Sequence, residues 1–167
     1  MKKILVIGSG GSGKSTFSRR LGEKLGLPVV HLDQLYWRPG WVETPKDEWV
    51  EIVRDELEKG AWIMDGNFGG TRAMRMQAAD TVIFLDLPRY LCMYRILKRT
   101  LIYRRGQRPD MAKGCDERFD LEFIMWVWNY PNRARLNVLE ELRMFPGKNV
   151  IFLKSRGEIE QFLREVV

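Results

Sequence analysis

Residues 8–15 of this chain read GSGGSGKS, and no other part of the sequence constrains the fold as strongly. The octet fits the pattern GxxxxGK[ST], which surrounds the phosphates of a nucleotide with backbone N–H groups. Glycines let the backbone approach a phosphate closely and adopt the dihedral angles that such a nest requires. The lysine adds a positive charge for the β- and γ-phosphates, and the hydroxyl that follows it is placed to bind Mg²⁺.

The residues around the octet have the structure that such a loop needs. Residues 3–7 (KILVI) predict a short buried strand, while Phe17, Leu21 and Leu25 recur at helical spacing within residues 14–25. A helix that begins at the lysine directs the positive end of its dipole at the phosphates. We therefore predict a site for ATP and Mg²⁺, whose binding residues are Gly8, Ser9, Gly10, Gly11, Ser12, Gly13, Lys14, Ser15 and Thr16.

A second glycine pattern suggests a different cofactor. Gly8, Gly10 and Gly13 also satisfy GxGxxG, and Asp33 ends the next apolar run at about the distance of a ribose-binding acid. This alternative predicts an NAD-binding Rossmann protein. A Rossmann turn has no use for the lysine and serine that follow the last glycine, so we favour the triphosphate site.

Five apolar segments alternate with helical patterns along the chain. The segments are residues 3–7, 28–32, 61–64, 81–85 and 149–153. This alternation predicts an α/β fold, a three-layer α/β/α sandwich around a parallel sheet. Ligands of such sheets bind beyond the carboxyl ends of the strands, where this sequence has Asp33, Asp65, Asn67 and Asp86.

The segment after the second predicted strand is rich in aromatic residues. Residues 35–41 read LYWRPGW, and we expect irregular backbone there. Tyr36, Trp37 and Trp41 are predicted to line an acceptor pocket, and the alternatives are that they fill the core or contact another subunit. Thr44 is predicted to cap the next helix, because Pro45 follows it at the position that favours proline.

Length and charge limit the remaining possibilities. The chain of 167 residues is expected to form one domain, and its net charge of +6 is concentrated in residues 89–113, where eight basic residues accompany one acid, Asp110. Such a cluster suits the charge of a phosphoryl-transfer site, although a nucleic-acid surface stays open as an alternative.

Cysteine and histidine usage argues against metal or disulfide frameworks. Cys92, Cys115 and the single histidine, His31, lack metal-ligand spacing. We therefore expect a reduced, cytoplasmic setting. The start MKKILVIG is charged like that of a signal peptide, but its apolar stretch ends after a few residues at the glycine loop, and no segment approaches the length of a membrane span.

The whole sequence resembles the nucleoside monophosphate kinase-like branch of P-loop proteins, in particular the adenylate-kinase-related DNA topology modulation proteins. Besides the glycine loop, the resemblance rests on HLDQLYWRPGW, WIMDGNFGGT, VIFLDLPR, RILKR and RPDMAKGCDERFDLEFIMWVWNYP. It implies a P-loop NTPase core with sheet order 2-3-1-4-5. It also implies a helical lid insertion at about residues 104–118 and an acceptor region after the second strand.

The resemblance also suggests roles for individual residues. Lys14 and Ser15 match the phosphate lysine and the magnesium ligand, and Asp65 matches the acid that orients the water shell of the metal. Arg95 and Arg99 resemble the arginines that contact the nucleotide near the lid. Further lid candidates are Arg104, Arg105, Arg108 and Arg118.

One departure from the resemblance concerns the acceptor. Adenylate kinases have DGFPR after the third strand, and this chain has DGNFGGTR. Arg72 is a candidate for the missing arginine, Asn67 is a further substrate candidate, and Asp33 is a candidate to contact an acceptor hydroxyl or the metal shell. The acceptor, the choice between ATP and GTP, and the oligomeric state stay open.

The predicted function is transfer of the γ-phosphoryl group of ATP to a small acceptor, with Lys14, Asp65, Arg95 and Arg99 as catalytic residues. The alternative from another class is an ATP-regulated protein that binds nucleic acid and affects DNA topology. Its candidate surface combines aromatic and basic residues, Trp126, Trp128, Tyr130, Arg133 and Arg135. The aromatic spacing there suits a core-facing helix equally well.

Overall fold

The computed structural model describes residues 1–103 and 110–166. Its strands are β1 (Lys3–Gly8), β2 (Val29–His31), β3 (Trp37–Arg38), β4 (Val42–Glu43), β5 (Trp62–Asp65), β6 (Thr81–Leu85) and β7 (Asn149–Leu153). Its α-helices are α1 (Lys14–Leu25), α2 (Leu32–Tyr36), α3 (Lys46–Glu58), α4 (Gly69–Ala78), α5 (Arg89–Ile102), α6 (Leu121–Asn129), α7 (Ala134–Arg143) and α8 (Arg156–Glu165). A 3₁₀ turn (Tyr130–Asn132) that contains Pro131 lies between α6 and α7.

Five parallel strands form the central sheet in the order β2-β5-β1-β6-β7. Counted along these five strands alone, the order is 2-3-1-4-5, as predicted. Val6 of β1 lies opposite Asp65 of β5 on one side and Ile83 of β6 on the other. In a Rossmann sheet the second strand would lie beside the first, whereas here β5 separates β2 from β1. The sheet order therefore excludes the dinucleotide-binding alternative.

Both faces of the sheet are covered by helices, which makes the fold a three-layer sandwich. Along β1 the side chains alternate, so Ile4 and Val6 join one hydrophobic layer, and Leu5 and Ile7 join the other. The first layer includes buried residues of α1, α5 and α8, and the second includes buried residues of α3, α4 and α7. This two-sided burial explains why the strands are continuous apolar runs rather than alternating ones.

The aromatic segment after β2 is more ordered than the sequence suggested. It forms the short helix α2 and a two-stranded hairpin of β3 and β4. Thr44 does not cap α3, because its hydroxyl donates to the carbonyl of Tyr36 at 2.6 Å and Pro45 occupies the N-cap position. Thr44 therefore closes the base of the hairpin, a contact with no local sequence signature.

A buried arginine on α4 holds the loop that follows β5. Arg75 donates from its guanidinium to the carbonyls of Gly66, Asn67 and Phe68, and to that of Thr71 one turn earlier. Burial, together with the positive charge of Arg72 on the same helix, lowers the pKa of Arg75 to about 9. The side chain therefore stays charged at neutral pH and fixes the backbone that leads to the site.

No helix in residues 1–103 or 110–166 is long and apolar enough to cross a membrane. The described part of the predicted lid, residues 110–118, consists of turns and irregular backbone. Arg104, Arg105 and Arg108 lie outside the described residues.

Replacement of Arg75 by methionine should destabilise the protein by about 3 kcal/mol, because three loop carbonyls would lose their buried donor. Urea unfolding followed by circular dichroism measures this change. Arg54→Met is the matched control, because Arg54 is exposed and pairs only with Glu51 on its own helix; its cost should stay within about 0.5 kcal/mol. Equal costs for the two variants would contradict the role of Arg75.

Candidate active site

The glycine loop connects the end of β1 to the start of α1 and has the backbone of a phosphate nest. Gly11 and Gly13 have φ angles of 73° and 92°, in the left-handed region that favours glycine. A Cβ atom on Gly11 would lie 2.3 Å from the carbonyl oxygen of Cys92. Position 11 therefore requires glycine for steric reasons as well. Gly13 at the N-cap contributes no side-chain cap to α1. The first N–H groups of that helix are thereby left for an anion.

Lys14 lies inside this loop. Its ammonium group donates to the carbonyls of Gly8 at 3.0 Å and Ser9 at 2.9 Å. Burial lowers the pKa of Lys14 below its ordinary value, and the carboxylates of Asp33 and Asp65 oppose that shift. The structure thus brings the predicted phosphate lysine close to two of the predicted strand-end acids.

Asn67 joins the end of β5 to the glycine loop. Its amide nitrogen donates to the carbonyl of Gly8 at 2.8 Å, and its amide oxygen accepts from the N–H of Gly8 at 3.4 Å. Asn67 was predicted as a substrate residue from its place after a strand. The structure places it at the wall of the cavity and gives it a second task, that of fixing the loop.

Two of the predicted arginines on α5 reach the same place. Arg95 donates to the carbonyl of Ser12 at 3.0 Å, so it lies directly against the glycine loop. Arg99 donates to the carboxylate of Glu117 at 3.0 Å, which ties α5 to the segment after residue 110. One turn of helix separates the two arginines, and both line the cavity above the loop.

Asp65 is almost completely buried and forms a pair with the only histidine of the chain. The distance from His31 Nδ1 to Asp65 Oδ2 is 2.8 Å. Burial alone would lower the pKa of His31, but the hydrogen bond and charge of Asp65, with the charge of Asp110, outweigh it and raise the pKa above its ordinary value. No local sequence pattern predicts this pair, because His31 and Asp65 end two different strands.

A cavity of about 760 Å³ extends from the glycine loop to the hairpin. It is lined by Lys14, Ser15 and Thr16 at the glycine loop, by Asp33, and by the aromatic rings of Trp37, Trp41 and Phe68. Trp37 and Trp41 contact each other edge to face, with ring centroids 5.3 Å apart. Two of the three predicted aromatic residues therefore line the cavity. Tyr36 packs instead between Trp49 and Phe68 in the core.

The hairpin and the segment after residue 110 touch each other at the cavity. Gly40 donates its N–H to the carbonyl of Gly114 at 2.9 Å, and the indole of Trp41 donates to the carbonyl of Asp116 at 3.0 Å. The guanidinium of Arg118 lies 5.1 Å from the ring centre of Trp41. Arg118, a predicted lid residue, therefore contacts the part of the cavity lining that Trp37 and Trp41 form.

Arg72 does not occupy the acceptor position proposed for it from the sequence. Its guanidinium is buried and forms a two-point ion pair with Glu141 of α7, with contacts of 2.5 and 2.7 Å. It is not among the residues that line the cavity. Asp86 likewise does not line the cavity, and both of its carboxylate oxygens accept from Arg135 at 2.8 Å.

The residues that suggested a nucleic-acid surface do not form one stacking platform. Tyr130 is buried, Arg135 is paired with Asp86, and Trp126 packs on Tyr130 with ring centroids 5.3 Å apart. Trp128 lies elsewhere, under the guanidinium of Arg89. Tyr130 and the side of the Trp126 ring that packs on it therefore agree with the interpretation that this helix faces the core.

No protein-family model matches the chain. Over 127 residues it is 28% identical to a curated protein of Pyrococcus furiosus named "Putative adenylate kinase", a match that covers 72% of this chain and 63% of that protein. The chain thus spans less than two thirds of the relative's length.

Solved structures with the same fold are small P-loop kinases. Shikimate kinase from Acinetobacter baumannii in complex with shikimate superimposes with a TM-score of 0.61 at 13% identity, covering 99% of this chain and 90% of that chain. A gluconokinase from Sinorhizobium meliloti gives 0.55 at 15% identity over 98% and 88% of the two chains. Shikimate kinase from Bacteroides thetaiotaomicron gives 0.53 at 17% identity over 96% and 93%. The fold is therefore that of the P-loop kinases.

Replacement of Gly11 by alanine tests how tightly the loop is packed. We expect a loss of about 3 kcal/mol or more in the free energy of unfolding, because backbone strain and the clash with Cys92 add. Gly26→Ala is the matched control, since Gly26 also has a positive φ of 65° but has nothing within 4 Å of an added Cβ. The control should cost about 1 kcal/mol. Similar losses in urea unfolding would show that strain alone, rather than contact with α5, requires Gly11.

The raised pKa of His31 predicts how the His31–Asp65 pair contributes to stability. Its contribution is complete below the unfolded pKa of about 6.5 and is lost as the pH rises through the higher folded pKa. Because the chain has one histidine, a single imidazole Hε1 signal in NMR reports the titration. We expect a midpoint above 6.5 that falls in Asp65→Asn and is unchanged in Asp47→Asn on the exposed start of α3. A wild-type midpoint at or below 6.5 would contradict the prediction.

Proposed function

We propose that this protein transfers the γ-phosphoryl group of ATP to a small acceptor in the presence of Mg²⁺. The observation that carries the proposal is the lining of the cavity. It combines the glycine loop and Lys14, with the carboxylate of Asp33 close by, and an aromatic part of the wall formed by Trp37 and Trp41. A nucleotide-binding protein that only hydrolysed or sensed ATP would need the phosphate-binding part alone. Space for a second molecule next to the phosphates favours a transferase.

The residues of the loop fit a triphosphate. Left-handed glycines at 11 and 13 turn the backbone into a nest, and the uncapped start of α1 adds N–H donors. The ammonium of Lys14, now bonded to the carbonyls of Gly8 and Ser9, is within the loop where phosphate oxygens bind. Exchange of those carbonyls for phosphate oxygens would give Lys14 charged partners in place of neutral ones.

The donor set also fits Mg²⁺, which prefers oxygen ligands and keeps several waters. Ser15 would supply a hydroxyl, and Asp65 would accept from metal-bound water. Among residues 1–103 and 110–166 no three histidine, cysteine or carboxylate side chains converge on a metal position. When bound, the ion supplies charge neutralisation at the phosphoryl group.

The remaining residues act by position and charge. Arg95 lies against the glycine loop, and Arg99 is one turn further along α5, so their guanidinium groups are placed to stabilise charge on the transferring group. His31 holds the carboxylate of Asp65 in place through its 2.8 Å contact. The contact of Trp41 with the segment after residue 110 covers the cavity and helps to exclude water from the reaction.

The acceptor side supports a small molecule with a hydroxyl group and an apolar face. Trp37, Trp41 and Phe68 provide flat walls, while the carboxylate of Asp33 is placed to orient a hydroxyl. Arg72 is bound to Glu141, so a phosphate group on the acceptor would require a different arginine. A nucleoside monophosphate kinase is therefore one form of the proposal, and a kinase for a smaller metabolite is the other. Membership of the DNA topology modulation group stays a prediction from the resemblance.

Lys14→Ala should lower kcat/KM for phosphoryl transfer by about 10²- to 10³-fold, because the transition-state charge loses its positive partner. The assay follows labelled γ-phosphate from Mg·ATP to a panel of nucleoside monophosphates and small hydroxylated metabolites. Lys59→Ala, a surface change on a residue paired with Glu56, is the control and should be neutral.

Undiminished transfer in Lys14→Ala would sink the mechanism. ATP binding without transfer to any acceptor would favour the regulatory alternative. In that case the DNA affinity should be measured at several salt concentrations, with and without nucleotide. For direct binding, the logarithm of the binding constant falls linearly with the logarithm of the salt concentration.

A further inference from the structure

The helices α5 and α6 have a second face that the proposed function does not use. Their inner faces line the cavity with Arg95, Arg99 and Phe123. Their outer faces expose large apolar side chains beside a few charged ones, Lys98, Glu122 and Arg89, whose guanidinium lies over the rings of Tyr90 and Trp128. The exposed fraction reaches 72% for Leu101 and 66% for Tyr90. The full set is Tyr90, Tyr94, Leu97, Leu101, Leu121, Met125 and Trp128, and we name it the outer apolar face.

The outer apolar face has a helical repeat. On α5 its members are spaced by four, three and four residues, and on α6 by four and three. Such spacing places each row along one side of its helix, as in helices that pack against other helices. The two rows adjoin, because Tyr90 contacts Trp128 with ring centroids 5.6 Å apart. At the other end Arg99 lies over Phe123, so α5 and α6 run antiparallel.

The size of this face exceeds what a monomer usually exposes. The exposed parts of its seven side chains amount to roughly 700 Å², taking about 150–250 Å² for a whole aromatic side chain and less for Leu and Met. The largest apolar patch of a typical monomer is about 300–600 Å². A stable interface buries about 800 Å² per partner. The outer apolar face is therefore large enough for one side of a stable dimer.

The charges at its edges are self-complementary. Lys98 is exposed on α5, and Glu122 is exposed on the first turn of α6. Arg99 lies beside Phe123. The residues that precede these two, Lys98 and Glu122, are therefore at about the same height along the helix pair. A two-fold axis parallel to the helices would place α5 of one copy over α6 of the other, with Lys98 opposite Glu122 twice. A lipid surface or a nucleic acid would offer no such match to a carboxylate.

We propose that the outer apolar face is the interface of a symmetric homodimer, in which α5 and α6 of two copies pack as a four-helix arrangement. The partner is thus a second copy of this chain. The interface lies behind α5, which carries Arg95 and Arg99, and behind α6, so the second copy would support both helices from outside the cavity. The proposal is independent of the phosphotransferase assignment, since its observations involve exposed residues outside the glycine loop.

Sedimentation velocity of the whole chain between about 1 and 100 µM tests the proposal by measuring the dimer Kd. We expect a dimer whose Kd rises at least about 30-fold in Leu101→Glu, because a carboxylate would be buried in the contact. Leu136→Glu on α7 is the matched control, as Leu136 is 48% exposed and outside the face. Its Kd should stay within about 3-fold of wild type.

A charge exchange tests the two-fold arrangement itself. Lys98→Glu alone should weaken the dimer through like charges, and Lys98→Glu combined with Glu122→Lys should restore it. A wild-type monomer at the highest concentration would overturn the proposal, whether or not that monomer binds vesicles or DNA. Equal loss in Leu101→Glu and Leu136→Glu, or no loss in either, would also overturn it, because the dimer contact would then lie elsewhere.

Discussion

The lack of space around the glycine loop is the constraint on which the rest of the structure depends. An added Cβ would lie 2.6 Å from the carbonyl oxygen of Leu85 at Gly8, 2.6 Å from the ring of Phe123 at Gly10, and 2.3 Å from the carbonyl oxygen of Cys92 at Gly11. The loop is thus held between the end of β6 and the helices α5 and α6. This contact places α5 where Arg95 reaches the loop, so the packing that shapes the phosphate nest also brings the arginines to it.

Buried charge around the loop is balanced by residues from several strand ends. Lys14 lies near Asp33 and Asp65, and Asp65 is held by His31. Asn67 ties the end of β5 to the loop, and Arg75 in turn holds the carbonyl of Asn67. The side chains of Asp65, Asn67 and Arg75 thus have hydrogen-bond partners outside their own elements, which keeps the cost of burying them low. The site is therefore preorganised by contacts across the sheet rather than along the chain.

The pair of helices α5 and α6 links both proposals. Their inner side faces the cavity, where phosphoryl transfer needs fixed positive charge, and their outer side is apolar. Rigid support from a second copy would limit the movement of α5, which carries Arg95 and Arg99, and of its neighbour α6. Preorganised charge stabilises a transition state better than charge that must first be positioned. A dimer contact at this place would thus affect catalysis without contributing a residue to the cavity.

Local sequence patterns were enough to predict most of the core. The bounds of α1, β6 and β7 agree with the sequence prediction, because glycines flank α1 and charged residues flank the short runs that form β6 and β7. The glycine loop and the sheet order of the resemblance also agree with the structure. Predictions that depended on long-range partners were less successful. Arg72 was expected at the acceptor and pairs with Glu141, and Thr44 was expected to cap a helix and closes a hairpin.

The sequence by itself determined where a phosphate nest could form and that this nest would follow a strand of a parallel sheet. It could do so because backbone dihedral angles and apolar periodicity are properties of neighbouring residues. Only the tertiary structure decided which charged side chains face the cavity. Arg72 and Arg75 lie three residues apart, yet one meets a carboxylate of α7 and the other meets the loop carbonyls after β5. Their partners are set by the packing of helices on the sheet, since a buried charge binds whatever opposite group the fold brings within reach.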